Sequence, residues 1–260
     1  MATQLYSPKR HAYINKNFDY ITSASIKEYD MKSAGLNILI ASGAIDEKTI
    51  AHLKSLPKHK RTVEEGLMQR RDKNISKIIN DGLVEYRTKF IEANDISDSD
   101  IISVKRDAIF LVNKRVKYTK FDNVEFIPKN KYSSYYRIGR LEIYYSKRDD
   151  VLDIKGLKGR DNNFKQHENY IINFLKKLFK LNEISRNSAC EYLRQFANDY
   201  RKLKLPIGYY REFNTNSLYR LNLAPIAGNS IAVDIIDDKK LIDITYNYIY
   251  IIMPLIKLIY

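Results

Sequence analysis

The sequence predicts an α+β fold in which helices pack on one face of an antiparallel sheet. Two segments, 101–112 and 133–146, each contain two β-rich arms around a short turn and therefore predict hairpins. Residues 62–93 carry apolar side chains at helical spacing, and two further helices are expected at about 163–181 and 186–204. Because hairpins pair neighbouring strands in opposite directions, the sheet is expected to be antiparallel.

The first half begins with a short strand and two helices. Residues 25–31 (SIKEYDM) predict a strand, and an apolar helix follows near 33–42. The segment 46–56 predicts a second helix, because Asp46 is a favourable N-cap and Pro57 stops the helix.

A long helix is predicted from Thr62 to about Ala93. Thr62 and Glu65 have the spacing of a capping box, in which each side chain binds the backbone of the other residue. The apolar positions recur every three or four residues and form one stripe: Ile75, Ile78, Ile79, Gly82, Leu83, Tyr86 and Phe90. Such a stripe is typical of a helix that packs on a core.

The second half predicts a hairpin around Gly139, a strand at 151–157 and the two helices already given. A soft boundary is expected near Pro128-Lys129-Asn130. Residues 1–128 are then one region, and residues 129–260 are a mixed α/β region of unassigned role.

The net charge is the strongest global signal. Lys and Arg number 45 against 31 Asp and Glu, which gives +14 at pH 7. Such an excess attracts polyanions, and 21 Tyr and ten Phe provide surfaces on which bases can stack. The expected partner is nucleic acid, although the same composition also results from AT-rich coding.

Other features exclude several classes of protein. The single Cys190 cannot form an internal disulfide, and the four His are scattered without zinc-site spacing. The N-terminus lacks the apolar stretch of a signal peptide. The apolar C-terminal run is interrupted by Asp243, Asn247, Pro254 and Lys257. We therefore expect a cytoplasmic protein without a membrane span.

Two acidic residues stand at positions that suit catalysis. Asp30 lies where the first strand gives way to a helix, and Asp107 lies in the bend of the hairpin Lys105-Arg106-Asp107. Either residue alone is an ordinary turn or cap residue. Together they fit a two-metal phosphoryl-transfer site, in which carboxylates from neighbouring strands hold divalent cations.

The order of these motifs resembles the palm and fingers of family A nucleic-acid polymerases, which include the single-subunit phage-type RNA polymerases. The resemblance covers roughly residues 25 to 113. Their first motif is strand-Asp-turn-helix, as in DMKSAGLNIL (30–39). Their second has a basic residue, three spacers and a Lys before Asn-x-Gly, as in KNISKIINDGLV (73–84). Their third is an apolar hairpin with an Asp, as in VKRDAIF (104–110).

The sequence also departs from that family. Lys73 replaces the usual Arg, and Glu85 stands where a Tyr is expected. Arg106 replaces a His, and Ala108 replaces a Glu or Ser, so that the third motif keeps one carboxylate. The thumb and proofreading regions that normally precede the first motif are absent from the sequence given.

The resemblance implies a palm-like sheet and a set of site residues. Asp30 and Asp107 are the expected catalytic ligands of Mg²⁺ or Mn²⁺, with the backbone carbonyl of Met31 as a third ligand. The expected ligands of the incoming nucleoside triphosphate are Lys77, Lys73 and Arg70. Lys77 has an alternative role as the partner of Asp81 one helical turn away. The expected contacts to nucleic acid are Arg106 and Lys105.

Gly35 raises the question of sugar selectivity. The resembling DNA polymerases have a Glu five residues after the motif Asp, and the RNA polymerases have a Gly followed by Leu, as Gly35-Leu36 do here. The resemblance implies that ribonucleotides are tolerated or preferred. The alternative is that Gly35 lets a helix pack closely.

The predicted function is template-directed nucleotidyl transfer, as a small polymerase or a primer-synthesising enzyme encoded by a phage or plasmid. The alternative is a non-catalytic nucleic-acid-binding protein, either a degenerate polymerase relative or a replication accessory. A third possibility is an unrelated interaction protein.

Overall fold

A computed structural model describes residues 6–7, 9–138, 141–155, 164–202 and 204–206. These residues form two compact units. The first contains the described residues up to Tyr132 except Asp19–Ser23, and the second contains Asp19–Ser23 and the described residues from Ser133 onward. The boundary expected near residue 128 falls inside a strand that ends at Tyr132.

The described strands, in chain order, are β1 (Ala12–Ile14), β2 (Tyr20–Ile21), β3 (Ile26–Met31), β4 (Ile101–Lys105), β5 (Ala108–Val112), β6 (Lys120–Phe121), β7 (Val124–Tyr132), β8 (Ser134–Ile138), β9 (Leu141–Ser146) and β10 (Val151–Lys155). The described helices are α1 (Ala34–Ala41), α2 (Glu47–Ser55), α3 (Lys58–Arg71), α4 (Lys73–Ala93), α5 (Phe164–Ile184) and α6 (Arg186–Arg201).

The first unit is built on a six-stranded antiparallel sheet with the order β1-β4-β5-β3-β7-β6. Strand β3 lies inside this sheet, between β5 and β7. The hairpin predicted at 101–112 is confirmed as β4 and β5, and the expected α+β class is confirmed as well. The strand expected at 25–31 corresponds to β3.

Helices α1 and α4 cover one face of this sheet. The predicted stripe of α4 is confirmed, because Ile75, Ile79, Leu83 and Phe90 are buried in one core with sheet residues. Gly82 belongs to this stripe for a steric reason: a Cβ there would lie 2.3 Å from Cγ2 of Ile38. Only a glycine lets α1 and α4 approach so closely.

The single helix predicted from Thr62 to Ala93 is wrong. Helix α3 begins earlier, after Pro57, and ends at Arg71. Asp72 has an extended backbone, and its side chain accepts a hydrogen bond from the Asn74 N–H, so it caps a new helix, α4. Thr62 is therefore no N-cap. Its hydroxyl donates to the Lys58 carbonyl one turn back.

Helix α2 was predicted correctly. Asp46 is its N-cap, and the carboxylate accepts a hydrogen bond of 2.8 Å from the Thr49 N–H. No helix in the described part of the chain is long and apolar enough to cross a membrane.

The second unit has a four-stranded antiparallel sheet with the order β10-β9-β8-β2. The hairpin predicted at 133–146 is confirmed as β8 and β9, although Gly139 at its turn lies outside the described residues. The two predicted helices correspond to α5 and α6. Buried aromatic side chains fill this unit, including Tyr136, Tyr144 and Phe174.

Candidate functional site

Asp30 is held near the end of β3 by both neighbouring strands. It pairs with Ala108 of β5 on one side and with Ile127 of β7 on the other. Its side chain keeps 17% of its surface exposed. Because a strand inside a sheet has its backbone fixed on both sides, the direction of this carboxylate is set by the sheet.

Asp107 lies in the turn between β4 and β5. Its carbonyl accepts a hydrogen bond of 3.0 Å from the Met31 N–H, which ties the turn to the residue after Asp30. Asp30 and Asp107 line the same cleft, whose volume is about 420 Å³. The structure therefore brings together the two acids that the sequence analysis paired.

A buried arginine side chain of α4 holds the Asp107 turn in place. Arg87 of α4 is fully buried, and its Nη1 donates a hydrogen bond of 2.5 Å to the Arg106 carbonyl. The Arg106 N–H donates to the His11 carbonyl at 2.6 Å. These contacts hold Arg106 at a φ of 53°, a left-handed conformation that is unusual for an arginine. This role of Arg87 was not predicted from the sequence.

The pKa of Asp107 is shifted by its surroundings. Burial raises the pKa of Asp107, and the negative charge of Asp30 raises it further. Lys129 of β7 offsets part of this repulsion, because its Nζ lies 3.3 Å from Oδ2 of Asp30. Partial burial lowers the pKa of Lys129, but the charges of Asp30, Glu28 and Asp107 outweigh it and raise the pKa above its ordinary value.

Helix α3 supplies the other wall of the cleft. The residues of α3 that line the cleft are Lys58, Arg61, Thr62, Glu65 and Gln69. Their spacing of three, one, three and four residues places them along one side of the helix. This wall extends for roughly 16 Å, at 1.5 Å per residue. Lys58 and Arg61 were not expected in this helix, because Thr62 was the predicted N-cap and the helix begins after Pro57.

Arg61 connects this wall to the start of α1. Its Nη2 donates a hydrogen bond of 3.1 Å to Oγ of Ser33, and its Nε lies 3.9 Å from Oε1 of Glu65. Ser33 has a φ of 46°, so a second left-handed residue besides Arg106 lines the cleft. Backbone strain of this kind is often concentrated at functional sites.

Gly35 is in contact with Glu65. A Cβ on residue 35 would lie 2.5 Å from Oε2 of Glu65, whose carboxylate accepts a hydrogen bond from the Leu36 N–H. Burial raises the pKa of Glu65, and the Arg61 charge and this hydrogen bond offset part of the increase. The space left by the missing side chain is therefore filled by a carboxylate, which agrees with the alternative that Gly35 lets a helix pack closely.

The residues expected to hold a triphosphate lie elsewhere. Arg70, Lys73 and Lys77 are exposed, and none of them is among the described residues that line the cleft.

Of the two residues expected to contact nucleic acid, Lys105 is likewise outside this lining, whereas Arg106 is part of it. The basic residues that line the cleft besides Arg106 are Lys32, Lys58 and Arg61.

The donor atoms at the acidic end suit a hard divalent cation. Asp30 and Asp107 offer carboxylate oxygens, which Mg²⁺ and Mn²⁺ prefer. The Met31 side chain is buried in the core, with 2% of the residue exposed, so we infer that Met31 lines the cleft with its backbone. Within the described residues no group of three or more His, Cys, Asp or Glu has the arrangement of a metal site. A cation bound here would have two carboxylates as its side-chain ligands.

The fold and the cleft define an α+β protein with an acidic pair at one end of an antiparallel sheet and a basic helix opposite. Comparison with protein families matches residues 1–259 to the family described as bacteriophage PBS1 gene 130 protein. The match spans nearly the whole chain, so the chain belongs to this family. The description names a phage gene and no activity, and it supports a phage origin. No curated protein matches the sequence.

Proposed function

We propose that this protein is a metal-dependent nucleotidyltransferase that extends a nucleic acid on a template. The observation that carries the proposal is the cleft in which Asp30 of β3 and Asp107 of the β4–β5 turn face a basic helix. This arrangement supports the resemblance of residues 25–113 to a polymerase palm. The net charge of +14 supports a nucleic-acid partner.

The residues divide into three roles. Asp30 and Asp107, with the Met31 carbonyl, hold the divalent cation. When bound, such a cation activates the attacking hydroxyl and offsets charge on the transferred phosphate. Lys58 and Arg61 bind the triphosphate of the incoming nucleotide, because they line the cleft and Arg70, Lys73 and Lys77 do not.

The remaining cations contact nucleic acid. Arg106 stands next to Asp107 on the rim of the cleft and binds a phosphate of the primer or template strand. Arg70, Lys73 and Lys77 are exposed at the junction of α3 and α4 and add to the basic surface outside the cleft. Such contacts bind nucleic acid without reading its sequence.

The test is nucleotide incorporation on primed and unprimed templates, with Mg²⁺ or Mn²⁺ and with ribonucleotides or deoxyribonucleotides. Asp30→Asn and Asp107→Asn are each expected to abolish incorporation while salt-dependent binding of nucleic acid stays within about twofold. Asp81→Asn, which removes an exposed acid of α4, is the matched control and is expected to stay active. Incorporation that survives in either site variant contradicts the proposal.

A second candidate is a nucleic-acid-binding protein without catalysis. Two observations favour it: Lys129 neutralises Asp30, and the third motif keeps one carboxylate where two are usual. In this case the wild-type protein binds templates but incorporates no nucleotide with either metal. Asp30→Asn and Asp107→Asn then leave the binding of nucleic acid unchanged.

A further inference from the structure

Lys129 reaches Asp30 because of an irregularity in β7. Pairing between β3 and β7 sets Tyr29 opposite Pro128 and Glu28 opposite Asn130, so that Lys129 is the extra residue of a β-bulge. Pairing of the same stretch of β3 with β5 is regular. The irregularity therefore belongs to β7, and bulges of this kind re-aim side chains beside functional sites.

The two residues of β7 at the bulge, Lys129 and Asn130, each contact a different acid of β3. Nδ2 of Asn130 donates a hydrogen bond of 2.5 Å to Oε2 of Glu28, which is buried. Nζ of Lys129 donates to Oδ2 of Asp30 at 3.3 Å. Glu28 is also bound by the Tyr132 hydroxyl at 3.2 Å, so this carboxylate has neutral donors. The ammonium of Lys129 is paired with the acid that lines the cleft.

We propose that Lys129 and a divalent cation compete for the Asp30 carboxylate, so that metal binding releases the Lys129 ammonium. This inference rests on the proposed function, because it assumes that Asp30 is a metal ligand. The Lys129 side chain is 48% exposed, so the ammonium can turn into solvent without leaving a buried charge. Lys129 is then a positioning residue that holds Asp30 until a cation binds.

The same strand offers a matched control. Lys131 is exposed and pairs with Lys27 of β3. Lys27 is the residue immediately before Glu28. Because side chains alternate along a strand, Lys131 lies on the face opposite to Glu28 and Asp30. Lys131→Met removes the same charge from the same strand as Lys129→Met, but away from the site.

The experiment measures Mn²⁺ affinity of the full chain by electron paramagnetic resonance, which needs no nucleotide or turnover. Removing the positive charge beside the Asp30 carboxylate is expected to tighten Mn²⁺ binding about tenfold in Lys129→Met. Lys131→Met is expected to stay within about twofold of the wild type. Lys129→Arg keeps the charge and is expected to bind as the wild type does. Adding Asp30→Asn to Lys129→Met is expected to cancel the gain.

Two results overturn the proposal. One is equal Mn²⁺ affinity in Lys129→Met and Lys131→Met while Asp30→Asn abolishes binding; this leaves the proposed function intact. The other is a lack of Mn²⁺ binding in every variant, which removes the proposed function as well. Tighter binding in Lys129→Met without any nucleotide incorporation supports the competition and contradicts the catalytic role. Circular dichroism of each variant verifies that the chain is folded.

Discussion

Helix α1 meets two other helices through a glycine, and the two contacts differ in chemistry. At Gly82 of α4 the space of a missing side chain is filled by the apolar Ile38, and at Gly35 it is filled by the carboxylate of Glu65 from α3. Helix α4 buries seven residues, whereas α3 buries none. The contact with α4 belongs to the core, and the contact with α3 is polar and borders the cleft. The comparison indicates that α4 is chiefly a core helix, whereas α3 contributes polar side chains to the cleft.

The largest effect on stability is expected from Gly82→Ala. The new methyl group would overlap Ile38 inside a packed core, and overpacking of this kind costs about 1–3 kcal/mol. The free energy of unfolding, measured with urea, is expected to fall by that amount. A variant as stable as the wild type would mean that α1 and α4 are not packed as closely as described.

Gly66→Ala is the control for that substitution, and it is expected to raise the free energy of unfolding rather than lower it. Gly66 lies in α3, and a Cβ there meets nothing within 4 Å. Alanine favours a helix over glycine by up to about 1 kcal/mol, so this variant is expected to be more stable than the wild type in the same urea titration. A loss of stability would contradict the open surroundings of Gly66.

Gly35→Ala is expected to change the free energy of unfolding less than Gly82→Ala does, and its effect is expected to depend on Glu65. The end of the Glu65 side chain can move, so Gly35→Ala shifts the carboxylate away from the Leu36 N–H rather than straining the backbone. In a double-mutant cycle, Gly35→Ala and Glu65→Ala are expected to couple by about 0.5–1 kcal/mol, because residues in contact are not additive. Strictly additive free energies would exclude the contact between α1 and α3.

The smallest expected effect is a dependence of stability on pH. The folded-state pKa values of Asp107 and Glu65 are raised above their ordinary values of 3.8 and 4.5, chiefly by burial. The folded state therefore binds more protons than the unfolded state just above those values, and the free energy of unfolding falls as the pH rises through this window. Asp107→Asn and Glu65→Gln are expected to flatten the fall, as measured by thermal unfolding between pH 4 and 7. A profile unchanged by both substitutions contradicts the assignment.

The sequence predicted the sheet side of the site better than the helix side. The β4–β5 hairpin and the strand before Asp30 have strong local signals, namely β-rich arms and a polar bend, and these signals are enough to bring two acids into one cleft. The break at Asp72 was missed because Thr62 and Glu65 fit a capping box, whereas Pro57 and Asp72 are the residues that begin α3 and α4. Lys58 and Arg61 therefore fell outside the predicted helix and were not expected at the cleft.

Other parts of the site have no local signal. Lys129 reaches Asp30 through a bulge in β7, and a bulge depends on pairing with a distant strand. Arg87 lies on the apolar face of α4 and supports the Asp107 turn through contacts made after folding. The contact of Glu65 with Gly35 likewise joins residues 30 positions apart. Side chains placed by tertiary pairing of this kind cannot be assigned from periodicity.

We propose that Asp30 and Asp107 share a divalent cation beside the basic wall of α3. The most direct measurement is an anomalous difference map from crystals grown with Mn²⁺. We expect one peak bound by oxygens of both carboxylates, and we expect the peak to be absent in crystals of Asp107→Asn. A Mn²⁺ peak bound elsewhere, or no peak at this pair in the wild-type protein at saturating Mn²⁺, would contradict the claim.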